Sequence, residues 1–548
     1  MYVDTATIKQ GDKVYKRHLL RESYRDENGK VKHKTILNLS GCSEAEVNAL
    51  KLAFKHKGKL ASLLSLDDIE TTAGKRIAAA WVLNVIAERI GIAKALGEGR
   101  AAKLALLQIL ARVIDQGSRL SAVRLAESHA LCETLGIDKL DEDDLYENLA
   151  WLATQQEEIE KALFAARFHS ETPTLFLYDV TSSYLEGTCN ELGAFGYNRD
   201  RKNGKMQIVV GLLTGPDGLP VAVRVFEGNT SDTKTVSEQV RILAKSFGVK
   251  EVTLVGDRGM LKGPQIDALP DDFRYITAIT KPQISKMLGE GVLQMELFTD
   301  KVCEVEVGDV RYVLRRNPLR AGQMKESRES KREVVLKKAE AQTKYLAEHP
   351  KANEKKALEK VVAKIKRLNA DAWLCATEHE RQISVTKDDA ALSNAALLDG
   401  CYTIKSDVPK ASADAQTLHD RYCDLENVER AFRTMKTTHL DLRPVFVRKA
   451  SSTRGHVFVV MLALLVQREL ERCWRDLNIT VEEGIDELGA ICALEVRIGN
   501  ATVNTIPKPN PRGALLLEKA SISLPSALPP VKARVHTKKK LQSERIQI

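Results

Sequence analysis

Residues 174–259 most constrain the fold of this chain, because they contain four strongly apolar segments of strand length. Three of these, "TLFLYDV", "MQIVVGLLT" and "LPVAVRVFEG", come in direct succession, and the turn "GPDG" between the last two is typical of a hairpin. A capped helix pattern, "SDTKTVSEQVRILAKSFG", then leads into the fourth strand, "VTLVGDRG". A strand–helix–strand succession of buried strands favours a parallel crossover. The segment therefore predicts an α/β fold with a mixed sheet flanked by helices.

The rest of the 548-residue chain is long enough for several domains around this sheet. Residues 1–60 are predicted to be β-rich, with a meander around the turn "ENGK", and residues 69–168 show a helical pattern. The sheet begins in residues 174–259 and is completed by residues 412–475. Between these two parts, residues 260–411 are predicted to form an α/β insertion with Lys-rich helices. Residues 476–548 form a C-terminal region with a basic tail.

Positive charge is concentrated in two places, although the whole chain carries a net charge of only +9. Residues 315–367 contain 17 Lys/Arg against 7 Asp/Glu, and residues 532–545 contain six Lys/Arg against one Glu. Local basic stretches of this kind suit the phosphate backbone of a nucleic acid. A solvated helical hairpin followed by an exposed tail is the alternative interpretation.

Cysteine usage and hydropathy indicate a location in the cytosol. The nine cysteines are scattered without a C-x-x-C pair or a zinc-like spacing, which predicts reduced thiols. The N-terminus is polar and shows no signal-peptide pattern. The longest apolar run, residues 457–466, is too short to span a bilayer and predicts a buried helix.

Two aspartates occupy unusual places in the predicted sheet. Asp179 interrupts an otherwise apolar strand, and Asp257 follows directly after another. A buried carboxylate costs several kcal/mol unless it is paired or bound to a metal. Taken singly, either residue could cap a turn or form a salt bridge with an arginine. Their joint presence on one small sheet favours a shared site.

The segment "YCDLENVERAFRTMK" predicts a helix that adds a third carboxylate. Its apolar residues fall on one side of the helix: Leu425, Val428, Phe432 and Met435. Glu429 and Lys436 lie within or beside this apolar stripe, where a core-facing helix is expected to be apolar. Three carboxylates from two strands and a helix would form a hard-oxygen site, which suits Mg²⁺ or Mn²⁺ better than zinc or copper.

These motifs resemble those of the DDE transposases of bacterial insertion-sequence family four, in the branch with a long insertion. "LYDVTSSY" and "DRGM" are similar to the boxes around the two family aspartates, and Tyr422, Glu429 and Lys436 have the spacing of the family's glutamate signature. The blocks "FGYNRDRKNGKMQIVVGLL" and "VFEGNTSDTKT" are also similar. Leu425 departs from the signature's arginine, and Met260 stands at a position that is often aromatic. Asp179 and Asp257 are 78 residues apart, and a further 172 residues separate Asp257 from Glu429.

The resemblance implies an RNase H-like core with a mixed five-stranded sheet, interrupted by an insertion that helps to hold DNA ends. Asp179, Asp257 and Glu429 would then hold two Mg²⁺ ions, for which Mn²⁺ can substitute, and would cleave DNA and transfer the strand. The implied partners are the inverted repeats at the element ends and the target DNA, bound by a homodimer associated with the bacterial nucleoid. The predicted DNA contacts are Tyr422, Lys436, Arg258, Arg433, Arg443 and Arg448.

Several alternatives stay open from the residues alone. Ordinary packing explains Tyr422 as well as DNA contact does, and a salt bridge to a carboxylate would explain Lys436. At the level of function, a metal-dependent nuclease on the same fold would need the same three carboxylates. An inactive relative that only binds DNA is a third interpretation. Either the helical region or the insertion could recognise the element ends.

Overall fold

The computed structural model describes residues 1–10, 13–57, 69–437, 440–498, 501–529, 531 and 533–537. The chain divides into two compact units. The smaller unit comprises Met1–Arg76, Ile491–Lys508 and Pro525–Leu528, and the larger comprises Ile77–Ala490, Pro509–Leu524 and Pro529–Ile548. Most of the predicted basic tail, residues 532–545, lies outside the described residues.

The N-terminal region forms the predicted meander. Its elements are β1 (Tyr2–Gln10), β2 (Lys13–Arg25), β3 (Val31–Asn38), α1 (Glu44–Lys55) and β4 (Ile69–Arg76). The first three strands pair antiparallel in the order β1-β2-β3. The turn between β2 and β3 closes on Asp26, whose Oδ1 accepts from the backbone N–H groups of Asn28 and Lys30 at 3.1 and 3.0 Å. The prediction of a β-meander is confirmed.

The prediction that the helical region starts at Ile69 was wrong. Residues Ile69–Arg76 form strand β4, which pairs antiparallel with Cys492–Ile498, more than 400 positions later in the chain. A partner so distant leaves no local signal in the sequence, although the adjacent β-branched residues Thr71 and Thr72 favour a strand. The first helix of the region begins only at Ala78.

The helical region packs around a buried apolar core. Its elements are α2 (Ala78–Arg89), α3 (Ile92–Leu96), α4 (Arg100–Ile114), α5 (Arg119–Ser128), α6 (Leu131–Leu135), β5 (Lys139–Leu140) and α7 (Glu142–Arg167). In α4 the residues from Leu104 to Val113 are all buried, as expected for a helix that other helices surround. Asp141 and Asp144 form a reciprocal capping box at the start of α7.

The central sheet has the strand directions of an RNase H-like core. Its first elements are β6 (Leu175–Tyr184), β7 (Gln207–Thr214), β8 (Pro220–Glu227), α8 (Asp232–Arg241), β9 (Val252–Gly256), α9 (Gly263–Asp267) and β10 (Phe273–Ala278). A π-helical turn, Ile242–Ser246, continues α8. Strands β6, β7 and β8 pair antiparallel, and β9 lies parallel to both β6 and β10. The predicted hairpin and crossover are both present.

The sheet has eight strands, three more than the five predicted, in the order β11-β12-β15-β10-β9-β6-β7-β8. The insertion supplies α10 (Lys281–Gly289), β11 (Cys303–Val307), β12 (Val310–Arg316), α11 (Pro318–Glu348), α12 (Glu354–Arg367), β13 (Leu374–His379), β14 (Gln382–Lys387), α13 (Asp389–Ala396) and β15 (Cys401–Ser406). Strand β15 pairs antiparallel with β10 and with β12, so part of the insertion continues the sheet. An unpaired edge on β10 would be a template for such additions.

The Lys-rich part of the insertion is a helical hairpin, as predicted. Helix α11 ends at Glu348, before Pro350, and α12 begins after the N-cap residue Asn353. The two helices and the β13–β14 hairpin share their own apolar cluster, which includes Val335, Leu346, Val361, Ile365 and Trp373.

After the insertion, the chain returns to the sheet with two helices and then continues through one long helix and several shorter elements. These are α14 (Ala415–Cys423), α15 (Leu425–Lys436), α16 (Ala450–Cys473), α17 (Val481–Gly489), β16 (Cys492–Ile498), β17 (Ala501–Thr505), α18 (Pro511–Ala520) and β18 (Arg534–Val535). Helix α16 is long and apolar enough to cross a membrane by composition, but most of its apolar window is buried inside the protein. It packs against α4, α7 and β8. None of the nine cysteines, all of which are among the described residues, forms a disulfide bond.

Candidate active site

The register of the central sheet places Asp179 beside Asp257. Strands β6 and β9 run parallel, with Leu177 opposite Val255 and Tyr178 opposite Gly256. One further step along both strands sets the two aspartates opposite each other. Neighbouring strands are about 5 Å apart, and paired residues of parallel strands point to the same face. The two carboxylates therefore project from adjacent strands at one place on the sheet.

Asp179 is half-buried, and its electrostatic surroundings favour the protonated form. Burial raises the pKa of Asp179 to about 7, and repulsion from Asp257 and Glu429 adds to the shift. The backbone N–H of Val180 and the guanidinium of Arg199 oppose this shift only in part. The site therefore concentrates negative charge that a cation would offset.

Helix α15 carries Glu429 to this site. Its buried residues are Val428, Ala431, Phe432, Thr434 and Met435, which matches the predicted apolar stripe apart from the half-buried Leu425. This face packs on β6, the strand of Asp179. Glu429 is exposed at the border of the stripe and acts on the pKa of Asp179, whereas Glu426 is not among the groups that do.

Tyr422, in the last turn of α14, reaches the second aspartate. Its hydroxyl donates to Asp257 Oδ1 at 3.4 Å. Burial and the Asp257 charge raise the pKa of Tyr422, so the hydroxyl keeps its proton and remains a donor. Tyr422 therefore restrains the orientation of the Asp257 carboxylate.

Lys436 has a protein partner, the alternative that its sequence pattern left open. Its Nζ lies 2.6 Å from Asp200 Oδ1 and donates to Thr181 Oγ1 at 3.0 Å and to the Ser182 carbonyl at 2.7 Å. The side chains of Lys436 and Asp200 are only 10% and 1% exposed. The same carboxylate also pairs with Arg443. Lys436 and Arg443 are thus engaged in a buried ion-pair cluster, and their predicted contact with DNA phosphates would require this cluster to open.

The other three predicted DNA contacts are free to meet a partner. Arg258, Arg433 and Arg448 are exposed, and their side chains make no ion pair with the described residues. Arg258 directly follows Asp257. Arg433 lies four positions after Glu429 and therefore on the same face of α15. Arg258 and Arg433 are thus neighbours of Asp257 and Glu429 that form no ion pair with them, whereas Arg448 lies three positions after Val445, which pairs with Leu185 beyond the far end of β6.

Two residues of the site were missed in the sequence analysis. Arg199 Nη2 pairs with Asp232 Oδ2 at 2.7 Å, and its backbone N–H donates to Ser182 Oγ at 2.8 Å. Asp232 Oδ2 and Asp257 Oδ2 lie 3.7 and 3.9 Å from the point where a side chain on Gly259 would begin. Arg199 comes from a loop without periodicity, and Asp232 is indistinguishable in sequence from a helix-capping residue.

The donor set of the site fits a hard divalent cation. Carboxylate oxygens are the ligands that Mg²⁺ and Mn²⁺ prefer. Within the described part of the chain, no three Asp, Glu, His or Cys side chains stand close enough to enclose one ion. Mg²⁺ commonly keeps several waters and takes one or two carboxylates together with substrate phosphates. Asp179, Asp257 and Glu429 are therefore suited to an ion whose coordination a phosphate completes.

Two family models match parts of this chain. The family model "IS1634 family transposase, N-terminal domain" matches residues 3–67, and the model "Transposase DDE domain" matches residues 170–466, more than half of the chain. A comparison with curated protein sequences gave no match.

Among solved structures, the chain is similar to a piggyBac transposase in a cryo-EM structure of its synaptic complex with hairpin DNA. The identity is 9% and the TM-score is 0.35, over 81% of this chain and 76% of that one. This likeness is too weak to carry an argument about the site. The two family matches show that the chain belongs to the DDE transposases of insertion sequences, with an N-terminal region of the IS1634 family.

Proposed function

We propose that the protein binds the ends of an insertion sequence, cleaves the DNA there in a metal-dependent reaction and joins the freed end to target DNA. The observation that supports this proposal is the electrostatic influence of Asp257 and Glu429 on Asp179. The β6–β9 register sets Asp179 beside Asp257, and Glu429 acts on Asp179 from α15.

Asp179, Asp257 and Glu429 would hold two Mg²⁺ ions. When bound, such ions activate the attacking oxygen and stabilise the leaving oxygen of a phosphodiester. The chain's own residues would fix the geometry. Tyr422 holds the Asp257 carboxylate, and the pairing of Arg199 with Asp232 keeps a guanidinium near Asp179. A homodimer would bring two element ends together.

The exposed arginines beside the site are the candidates for contact with the DNA backbone. Arg258, Arg433 and Arg448 would each meet a phosphate, since a guanidinium binds phosphate oxygens in a bidentate geometry. The Lys-rich hairpin of α11 and α12 would add sequence-independent affinity.

The proposal is tested by incubating the protein with labelled DNA ends that carry the element's inverted repeats, together with Mg²⁺ and a target plasmid. Cleavage followed by joining to the plasmid is the expected result. Cleavage without joining would support the alternative of a nuclease on the same fold. Binding with neither reaction would contradict the catalytic proposal and leave a DNA-binding protein.

A further inference from the structure

A second candidate site lies away from the three carboxylates, in a cavity of about 150 Å³ between the helical region and residues 441–447. We propose that this cavity binds one backbone phosphate of the DNA. The inference rests on the proposed function only in taking DNA as the partner, and it requires no catalysis. The cavity is lined by Arg112, Arg119 and His456, by Asp441, and by the aromatic residues Tyr146 and Phe446.

Two buried arginines provide the main argument. Arg112 and Arg119 are 4% and 5% exposed. Arg119 donates from Nη1 to Gln108 Oε1 at 2.7 Å, and its Nη2 lies 2.9 Å from His456 Nδ1. Arg112 Nη1 donates to the Gln116 carbonyl at 2.5 Å, and its buried Nε has no hydrogen-bond partner. Neither guanidinium has a carboxylate within ion-pair distance among the described residues.

This arrangement is costly unless an anion completes it. A buried charge is normally paired, because its desolvation costs several kcal/mol. Burial lowers the pKa of Arg112 to about 10 and that of Arg119 to about 9, and in Arg119 repulsion from Arg112 adds to this effect. Both pKa values stay above neutral pH, so both arginines remain charged. The cavity therefore holds two cations that repel each other.

The residues that line the cavity carry more positive than negative charge. Burial and the two arginines hold the pKa of His456 well below its usual value, so the imidazole is neutral. Its Nε2 lies 3.3 Å from the Leu442 carbonyl, which suits a protonated Nε2 and leaves Nδ1 to accept from Arg119. Asp441 contributes one negative charge, and the exposed Asp115 accepts from Ser121 Oγ at 2.5 Å. Among the lining residues, two arginines stand against one aspartate, and Asp115 Oδ2 lies 2.9 Å from the point where a side chain on the lining residue Gly117 would begin. Neither aspartate is within ion-pair distance of Arg112 or Arg119, so a phosphate that bonds directly to the guanidinium groups has no competitor there.

The surroundings of the cavity suit a nucleic-acid strand better than a free anion. Residues 116–118 line it directly before α5, a helix of ten residues whose N-terminal dipole favours an anion. Phe446 and Tyr146 are 71% and 43% exposed at the cavity, where an aromatic ring can contact a sugar or a base.

Backbone hydrogen bonds connect the residues beside the cavity to the strand of Asp179. Val445 N–H donates to the Tyr184 carbonyl, and Glu186 N–H donates to the Val445 carbonyl, both at 3.1 Å. Six residues of extended chain separate Asp179 from Leu185, which forms a bridge with Val445, so the two places are about 20 Å apart along the strand. A DNA strand held at the carboxylates could therefore place a more distant phosphate in the cavity.

The test compares the full-length protein with Arg119→Met and Arg112→Met. Binding of duplex DNA carrying the inverted repeat is measured in EDTA at several salt concentrations. We expect several-fold weaker binding by each variant, with a salt slope smaller by about 0.9, the value for one lost phosphate contact. Inorganic phosphate, compared with chloride at equal ionic strength, should raise the Tm of the wild type more than that of either variant. In chloride, the Tm of Arg112→Met should be unchanged or higher, because the repulsion between the two guanidinium groups is removed. The Tm of Arg119→Met should fall slightly, because Gln108 Oε1 and His456 Nδ1 also lose their donor.

Arg224→Met is the matched control, since the Arg224 side chain is only 13% exposed but is paired with Glu160 at 2.7 Å. It should lower the Tm without changing the salt slope. If a methionine variant does not fold, Arg119→Gln takes its place, and the effect of phosphate on the wild type remains measurable. A large fall in Tm with an unchanged salt slope would overturn the inference and assign the two arginines a structural role. Stabilisation by inorganic phosphate with an unchanged slope would overturn it in favour of a free anion. If the salt slopes and Tm values change as expected but the protein does not cleave DNA, the proposed function is contradicted and the phosphate site is not.

Discussion

Asp179 is an ionisable residue within a strand that is otherwise apolar. It lies in the middle of an apolar strand, which fixes its place on the sheet, and repulsion from Asp257 and Glu429 adds to the effect of burial on its pKa. The raised pKa means that ionised Asp179 weakens the folded state while no cation is present. A strongly shifted pKa of this kind is more frequent in active sites than elsewhere, which supports the proposed role of Asp179.

Asp179→Asn should therefore stabilise the metal-free protein while it abolishes cleavage. The folded-state pKa of about 7 lies above the usual value of 3.8, so the wild type gains stability as the pH falls from about 8 towards 4. In EDTA at pH 8, we expect the variant to be more stable by at least about 1 kcal/mol, the equivalent of roughly one pKa unit. The difference should shrink at pH 6.

Denaturant unfolding at the two pH values measures this effect, and Mg²⁺ should stabilise the wild type more than the variant. The same pH dependence in both proteins would show that Asp179 does not titrate in this range.

The ion pair with Asp200 indicates that Lys436 has a structural role. Asp200→Asn should destabilise the protein by about 3–5 kcal/mol, because the buried Asp200 carboxylate is the shared partner of Lys436, which is 10% exposed, and Arg443, which is 30% exposed. Lys436→Met should cost less, about 1–2 kcal/mol, since Arg443 would still pair with Asp200. Equilibrium unfolding in urea measures both variants. Full stability of Lys436→Met together with weaker DNA binding would instead favour the phosphate contact.

At the scale of elements, helix α15 has one face for the core and a border for chemistry. Its periodicity was sufficient to predict which residues pack on the sheet. The same pattern singled out Glu429 and Lys436 because a charged residue beside an apolar stripe needs a partner. Which partner each residue meets depends on other elements: β6 and β9 for Glu429, and the loop that carries Asp200 for Lys436.

The sequence therefore predicted the local features of the site better than its contacts. The apolar strands with Asp179 and Asp257 were visible because a carboxylate contradicts the strand's hydrophobicity. The pairing of Arg199 with Asp232 was not, since it joins a loop to a helix start 33 positions away. Strand β4 was predicted as helix for the same reason, because its partner β16 lies near the other end of the chain.

The Lys-rich hairpin offers a test at the element scale. Lys355, Lys356 and Lys366 are exposed on or near the polar side of α12. Changing all three to Gln should weaken DNA binding and reduce the salt slope by up to about 2.7, or 0.9 for each phosphate contact. Stability should hardly change. A filter-binding titration at several salt concentrations measures this.

The matched control replaces three exposed lysines elsewhere, Lys94, Lys161 and Lys250. Equal losses of affinity in both triple variants would mean that α12 has no special role and that only the total charge matters.

At the scale of the whole molecule, two parts of the structure are each completed by segments that are distant in the chain. The DDE domain is completed only when α14 and α15 return to a sheet begun about 240 residues earlier, and the smaller unit is completed by β16 and β17. Long-range closure of this kind is slow to form and invisible to local patterns. Residues 260–411, predicted as a separate insertion, contribute four strands to the central sheet, β10, β11, β12 and β15, for the same reason.

A proline in β16 should unfold part of the smaller unit alone. Val496 pairs with Thr71 on one side and Val503 on the other, so Val496→Pro breaks the central strand of three. Hydrogen exchange followed by mass spectrometry should show protection at least about tenfold lower in Ile69–Arg76. Protection in Leu175–Tyr184 should be unchanged, and Val496→Thr should behave like the wild type. Loss of protection throughout the chain would mean that the two units unfold together.

The assignment of Glu429 to the active site is tested most directly by comparing Glu429→Gln with Glu426→Gln in single-turnover cleavage of an inverted-repeat end in Mg²⁺. Both residues are exposed glutamates of the same helix, three positions apart, and the substitutions are identical. We expect Glu429→Gln to lower the cleavage rate by at least about a thousandfold, which corresponds to about 4 kcal/mol of lost transition-state stabilisation. Glu426→Gln should cleave within a few-fold of the wild type. Full activity of Glu429→Gln, or equal losses in the two variants, would contradict the assignment of Glu429 to the active site with Asp179 and Asp257.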